Sequence, residues 1–166
     1  MNPDDEVRKQ LLYLLDGGNA HMPFEEIIAD YPVASVNRVA PGAPFNAWGL
    51  LEHMRIAQWD ILEFIRNPAH VSPPWPEGSW PPPGQQADAA MWNQSVETIR
   101  AEWKALRDMV ADPASDLYSD IPHAPGYTIL REILVVSDHN AYHMAELALL
   151  RTMLDDKTWP MNLLES

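Results

Sequence analysis

The residues best suited to chemistry in this sequence are His139 and His143, which lie in the stretch SDHNAYHMAE. They are four residues apart, so on an α-helix both imidazoles lie on one face, about 6 Å apart along the axis. Apolar residues on both sides, REILVV and MAELALL, place that face in the protein core. Two imidazoles at this spacing can bind one metal ion, although hydrogen-bonded core histidines have the same pattern.

A third histidine, His53, lies in the apolar stripe of another helical segment, between Leu50 and Ala57. From His53 to the end of its segment is about 20 Å, and from the start of the last segment to the histidine pair is also about 20 Å. If these two segments are antiparallel neighbours, the three histidines meet at one level. Three neutral imidazoles with no fourth protein ligand are typical of an open metal site, whose remaining positions take water or substrate.

Two carboxylates lie near the histidine pair at helical spacing. Glu146 is one turn beyond His143, and Glu132 is two turns before His139. Either could be an acid–base group or could orient an imidazole by accepting its other N–H, and a solvated glutamate is the alternative. The residues between the two histidines are Asn, Ala and Tyr, so the HExxH motif and its glutamate base are absent. The other histidines are expected in loops: His21, His70 and His123.

Composition narrows the classes of function. The chain has 166 residues, a net charge of −13 and no cysteine. Without cysteine, disulfides, thiolate nucleophiles and Cys-ligated zinc are excluded. The acidic charge weighs against nucleic acid and against an anionic membrane surface as partners. With no apolar run of membrane length and no apolar signal core at the start, we expect a cytoplasmic protein.

The spacing of apolar residues predicts a single all-α domain over residues 1–166. Four long helices are expected, at about Asp4–Asp16, Pro44–Arg66, Asp88–Val110 and Thr128–Leu154. A short helix is expected after Pro23, and no strand pattern competes with these helices.

Between the second and third long helices the chain is rich in proline. Seven of the sixteen prolines fall between Pro68 and Pro83, which excludes helix and central strand and predicts an extended chain. At roughly 3 Å per residue, the segment is long enough to return along a bundle, so the helices on either side can run parallel. A ligand for a proline-recognition domain is the alternative. We expect Trp75 and Trp80 to hold the segment against the bundle.

Three stretches together resemble the DinB-like (YfiT-like) family of metalloproteins: WGLLEHMRIAQWDILEF, the proline–tryptophan loop and LREILVVSDHNAYHMAEL. The resemblance covers most of the chain, to about Leu154. Its most specific parts are His53 in the second long helix and the HxxxH pair, His139 and His143, in the fourth. It implies an up-down-down-up four-helix bundle with a long crossover between the second and third helices. It also implies one divalent ion, zinc or nickel, bound by the three histidines, and a homodimer.

The resemblance also implies a class of activity. The family includes transferases and isomerases that use a low-molecular-weight thiol, and we expect a metal-dependent enzyme of this kind, or a hydrolase, acting on a small molecule. The family has no uniform catalytic residue beyond the metal, so none is assigned here. Two alternatives stay open: a non-catalytic metal-binding stress-response module, and a scaffold with buried histidines and no metal.

Overall fold

The computed structural model describes residues 2–17 and 20–154, and its mostly helical content places the protein in the all-α class. The helices are α1 (Pro3–Asp16), α2 (Phe24–Ile28), α3 (Ala47–Arg66), α4 (Ala89–Ala111) and α5 (Ile129–Leu154). The predicted helices are therefore present, and no helix end differs by more than about three residues from its expected position. Within the described ranges, no helix combines the length and the apolar composition needed to cross a bilayer.

Side-chain caps determine where the long helices begin. Asn46, Asp88 and Thr128 precede α3, α4 and α5, and each accepts a hydrogen bond from the backbone N–H three residues further on. These bonds satisfy N–H groups that have no partner within the first turn of a helix. These caps therefore fix the first residue of α3, which carries His53, and of α5, which carries His139 and His143.

The core consists of two clusters that lie one after the other along the long helices. The first joins the amino-terminal halves of α3 and α4 to the carboxyl-terminal half of α5, and includes Leu50, Trp92 and Leu147. The second joins the opposite halves of these helices to α1, and includes Leu62, Leu106 and Ile133. Hence α3 and α4 run in the same direction and α5 runs in the opposite one.

Helix α1 lies antiparallel to α4. Arg8, near its start, donates to the carbonyl of Val110 at 2.9 Å, and Trp103 donates through Nε1 to the carbonyl of Leu15 at 2.8 Å. Residues early in α1 thus meet residues late in α4.

A short β-ribbon corrects the expectation of no strands. Strand β1 (Asp120–Ile121) pairs antiparallel with β2 (Ala124–Thr128), immediately before α5. The ribbon contains only a few residues, and proline and glycine interrupt it, so no alternating apolar pattern marks it in the sequence. Tertiary packing beside α5, rather than local β-propensity, accounts for it.

The proline-rich crossover from α3 to α4 is not extended throughout, which corrects a second expectation. It contains a 3₁₀ turn at Glu77–Ser79, and the N–H of Gly78 donates to the carbonyl of Pro74 at 2.7 Å. Trp80 packs against α3, as expected, but Trp75 is 76% exposed. The expectation for Trp75 was wrong because the chain turns back at this point and leaves its indole on the outside.

Candidate metal centre

His53 of α3 and the α5 residues His139 and His143 form one cluster inside the protein. One ring nitrogen from each lies within 4.8 Å of the other two. The Nε2 atoms of His53 and His139 are 3.1 Å apart. His53 is only 3% exposed, and the two α5 histidines are half-buried. The antiparallel packing of α3 and α5 therefore brings together the three histidines selected from the sequence.

The tautomer of His53 is set by the crossover. Its Nδ1 lies 2.6 Å from the carbonyl oxygen of Ser79. A carbonyl oxygen can only accept, so Nδ1 carries the proton and the neutral ring presents an unprotonated Nε2 to the cluster. Trp80 stacks on the same imidazole, with ring centroids 4.1 Å apart and planes 5° from parallel. Both contacts to this ring come from the crossover.

A ladder of buried amides sets the tautomer of His139. Gln58 Nε2 donates to the carbonyl oxygen of Ile99 at 2.9 Å, so Gln58 turns its own oxygen towards Asn140. Asn140 donates to that oxygen at 3.0 Å, which leaves Asn140 Oδ1 to accept from Nδ1 of His139 at 3.3 Å. A single backbone carbonyl thus orients two amides in turn. His139, like His53, presents Nε2 to the cluster.

The third histidine is oriented by a carboxylate. Nδ1 of His143 lies 2.7 Å from Oε2 of Glu146, so the Nε2 atom of this ring is on the side away from Glu146. Glu146 therefore contacts the cluster as the sequence suggested. Glu132, the other candidate, is buried, but its hydrogen bond is to Arg131 and it does not belong to the metal-binding group found among the described residues.

The donor set fits a divalent metal ion. Two unprotonated imidazole nitrogens that face each other at 3.1 Å repel unless a proton or a metal ion lies between them. An ion with bonds of about 2.0–2.1 Å to nitrogen holds two ligand nitrogens about 3.3 Å apart at the tetrahedral angle. Within the described ranges, the group contains no carboxylate and no fourth ligand. Positions are therefore left for water or for a substrate atom.

Burial favours the neutral form of two of the rings, those of His53 and His139. It lowers the pKa of His139 to about 4, and the neighbouring His143 acts in the same direction. Burial also lowers the pKa of His53, against the opposing effect of its hydrogen bond to Ser79. Because a metal binds the unprotonated imidazole, a low pKa leaves these two donors available at neutral pH.

The remaining histidines lie in loops outside the cluster, as expected. Nε2 of His70 is 2.6 Å from Asp60 Oδ1, and Nε2 of His123 is 2.8 Å from the carbonyl of Phe64. His21 bonds through Nδ1 to the carbonyl of the following residue at 2.9 Å. The bonds of His70 and His123 attach their loops to α3, and the bond of His21 stays within its own loop.

Sequence reasoning missed four groups that orient the histidines. Gln58 and Asn140 had a detectable signal, since each is a polar amide within an apolar helix face. Trp80 was expected only to hold the crossover against the bundle. Ser79 acts through its backbone carbonyl, which every residue possesses, so its residue type carries no signal.

Comparisons of the chain with models of protein families, with curated proteins and with solved structures found no match.

Proposed function

We propose that the protein is a metal-dependent enzyme in which His53, His139 and His143 bind one divalent ion, zinc or nickel. The observation that supports this most directly is the 3.1 Å approach of two Nε2 atoms whose rings already hold their protons on Nδ1. The proposed substrate is a small molecule. The proposed reaction is a transfer or isomerisation that uses a low-molecular-weight thiol, or a hydrolysis, in keeping with the resemblance to the DinB-like family.

We also propose that α1, α3, α4 and α5 form an up-down-down-up four-helix bundle. Helices α3 and α4, joined by the crossover, run in one direction, and α1 and α5 both run in the opposite direction, which supports this order. A homodimer in the cytoplasm completes the proposal. Its support is the resemblance, together with the exposed apolar residues on α5 such as Leu149, at 59%, and Met153, at 46%.

A divalent ion bound to these histidines would act as a Lewis acid, which lowers the pKa of a bound water or binds a substrate thiolate. Since the chain has no cysteine, such a thiolate comes from the substrate or a cosubstrate. The protein's own groups hold the Nδ1 protons in place: Ser79 on one ring, Asn140 on the second and Glu146 on the third. Of these three acceptors, Glu146 is the one with a carboxylate, so its bond to the His143 ring is charge-assisted.

We propose that a substrate approaches the cluster from its α5 side. His53 is almost completely buried and is covered by Trp80, whereas the two α5 histidines are half-buried. Tyr142 lies on this more open side, with its ring centroid 5.0 Å from that of His143. A phenol at this position provides an aromatic wall and a hydroxyl for a small substrate.

Metal content tests the proposal. Tag-free protein purified without chelator should contain about one equivalent of a divalent metal by elemental mass spectrometry. The double variant His139→Ala, His143→Ala, if folded by circular dichroism, should contain little, and His123→Ala should keep the parent's content. A parent that holds no metal even after reconstitution would contradict the proposal and leave the histidines as core residues.

Thiol binding separates an enzyme from a non-catalytic metal-binding module. With Co²⁺ or Ni²⁺ in the site, a small thiol at micromolar to millimolar concentration should change the visible absorption spectrum if an open position accepts it. A metal-loaded protein whose spectrum responds to neither thiols nor other small anions would support the module.

A further inference from the structure

We infer that the proline-rich crossover is part of the metal centre: the Ser79 carbonyl and the Trp80 indole are positioning groups that hold His53 in its metal-binding state. The role of the ion in this inference rests on the function proposed above. The contacts between the crossover and His53 do not, and they are testable in metal-free protein.

The first contact determines which nitrogen of His53 is free. In solution a neutral imidazole exchanges between two tautomers, and only one of them has a lone pair on Nε2. The hydrogen bond of 2.6 Å from Nδ1 to the Ser79 carbonyl permits only that tautomer. Without this acceptor, part of the population would carry the proton on Nε2, the atom that faces His139 at 3.1 Å.

The second contact determines the plane of the ring. Trp80 lies parallel to the His53 imidazole at a centroid distance of 4.1 Å, and Phe45 packs on Trp80 at 5.6 Å. This stack opposes rotation of the imidazole about its bond to Cβ. The His139 and His143 rings meet His53 edge-on, at angles of 62° and 87°, so a rotated His53 would direct Nε2 away from them.

The local structure of the crossover holds the Ser79 carbonyl in position. The Ser79 hydroxyl and N–H both donate to the carbonyl of Pro76, at 2.7 and 3.1 Å, which closes the turn. A Cβ on Gly78 would lie 2.7 Å from Cβ of Pro73 and 2.8 Å from Cδ of Pro74. Only glycine therefore fits between these prolines without a shift of the turn that carries Ser79.

Both ends of the crossover are attached to the bundle. At its start, His70 bonds to Asp60 of α3 at 2.6 Å. Near its end, Asn37 of the segment before α3 exchanges two hydrogen bonds with the backbone of Ala87, at 2.8 and 2.9 Å. The position of the Ser79 carbonyl is thus determined by the fold of the whole segment, and metal affinity should depend on that segment.

The first test uses metal-free protein. Nitrogen-15 NMR at pH 8 should show the His53 ring with a protonated Nδ1 and an unprotonated Nε2, the signals being assigned by their loss in His53→Ala. A substantial fraction of the opposite tautomer would overturn the assignment of Ser79, whether or not the protein binds metal.

The second test moves the carbonyl. Gly78→Ala should give a mixture of His53 tautomers and weaken Zn²⁺ binding about 10- to 100-fold in a competition titration, the range for loss of a group that orients a ligand. Gly84→Asn is the matched control in the same segment. Its φ of 79° is one that asparagine tolerates, and an added Cβ meets nothing within 4 Å.

The third test separates stacking from bulk. Trp80→Phe keeps an aromatic face for His53 and should bind Zn²⁺ within about threefold of the parent, whereas Trp80→Leu should bind about tenfold more weakly. Thermal unfolding of both metal-free variants checks that they fold alike. Trp80→Leu also provides a second measurement if Gly78→Ala fails to fold.

The outcomes distinguish this inference from the proposed function. A parent that binds Zn²⁺ while Gly78→Ala and Trp80→Leu bind equally tightly would overturn the positioning role alone. A parent that binds no metal but shows the Nδ1–H tautomer, lost in Gly78→Ala, would overturn the enzyme proposal and uphold the action of the crossover on His53.

Discussion

Nε2 of His53 and Nε2 of His139 face each other at 3.1 Å, although the two residues are 86 positions apart in the chain. Each ring donates its Nδ1 proton elsewhere, so two lone pairs meet in a largely buried space. A bound cation turns this repulsion into attraction and links α3 to α5. Metal binding should therefore stabilise the packing of these two helices as well as provide a reactive centre.

Replacement of His53 should abolish the stabilisation that metal gives. The parent should gain about 2.7 kcal/mol in unfolding free energy at a metal concentration 100 times its Kd, whereas His53→Ala should gain almost nothing. Urea denaturation with and without Zn²⁺ measures both values. His123→Ala, outside the cluster, is the control and should respond like the parent. An equal response in His53→Ala would show that the ion binds elsewhere.

Loss of the amide ladder should weaken both the fold and the site. In Gln58→Leu the amide of Asn140 loses its acceptor and the carbonyl of Ile99 loses one of its donors, which should cost about 1–3 kcal/mol in unfolding free energy. Because Asn140 is then free to turn, Zn²⁺ affinity should also fall, by about tenfold. Urea denaturation and competition titration measure the two effects.

Gln94→Leu is the control for the ladder, since Gln94 lies on the exposed side of α4 and bonds to Thr98. It should change stability by less than about 0.5 kcal/mol. If Gln58→Leu were as mild as this control, the ladder would have no role in holding the site.

The two glutamates considered from the sequence should behave differently. Glu146→Gln keeps an oxygen that can accept from His143 but removes the negative charge, so Zn²⁺ affinity should fall about tenfold. Glu132→Gln should leave it within about threefold, because Glu132 bonds to Arg131. Competition titration with a chromophoric chelator compares the two. A larger effect of Glu132→Gln would place that carboxylate in the site and contradict the assignment.

The half-buried carboxyl of Glu102 should make stability depend on pH. Burial raises the pKa of Glu102 above its ordinary value of 4.5, against the opposing effect of its hydrogen bond from Gln58. The folded protein therefore holds this proton more tightly than the unfolded chain. The stability that the folded protein gains from binding this proton is fully present below pH 4.5. It is lost as pH rises through the raised pKa of Glu102.

Glu102→Gln, which cannot ionise, should consequently gain stability relative to the parent as pH rises from about 4 to about 8. Urea denaturation across this range, with chelator present to exclude metal effects, measures the difference between the two proteins. A difference that does not vary with pH would argue against a raised pKa.

Local sequence patterns predicted the helices because each pattern reports on one helix. The period of apolar residues located α3, α4 and α5, and it placed His53, His139 and His143 on faces that point inwards. It did not detect β1 and β2, which are too short and too interrupted for a period to emerge. It also did not show that Trp75 would be exposed, because the direction of a turn depends on what packs beneath it.

The amino-acid sequence by itself determined which residues can bind a metal and which helix faces carry them, since side-chain chemistry and helical period are local properties. Tertiary structure alone decided how the rings are held. The acceptor for His53 is a backbone carbonyl 26 residues further on, and the ladder to His139 joins Gln58 to a residue 82 positions away. Carbonyl acceptors have no signature in residue type, and pairs between helices depend on how the helices pack. For this reason, a search for ligand residues could find the three histidines but not the groups that orient them.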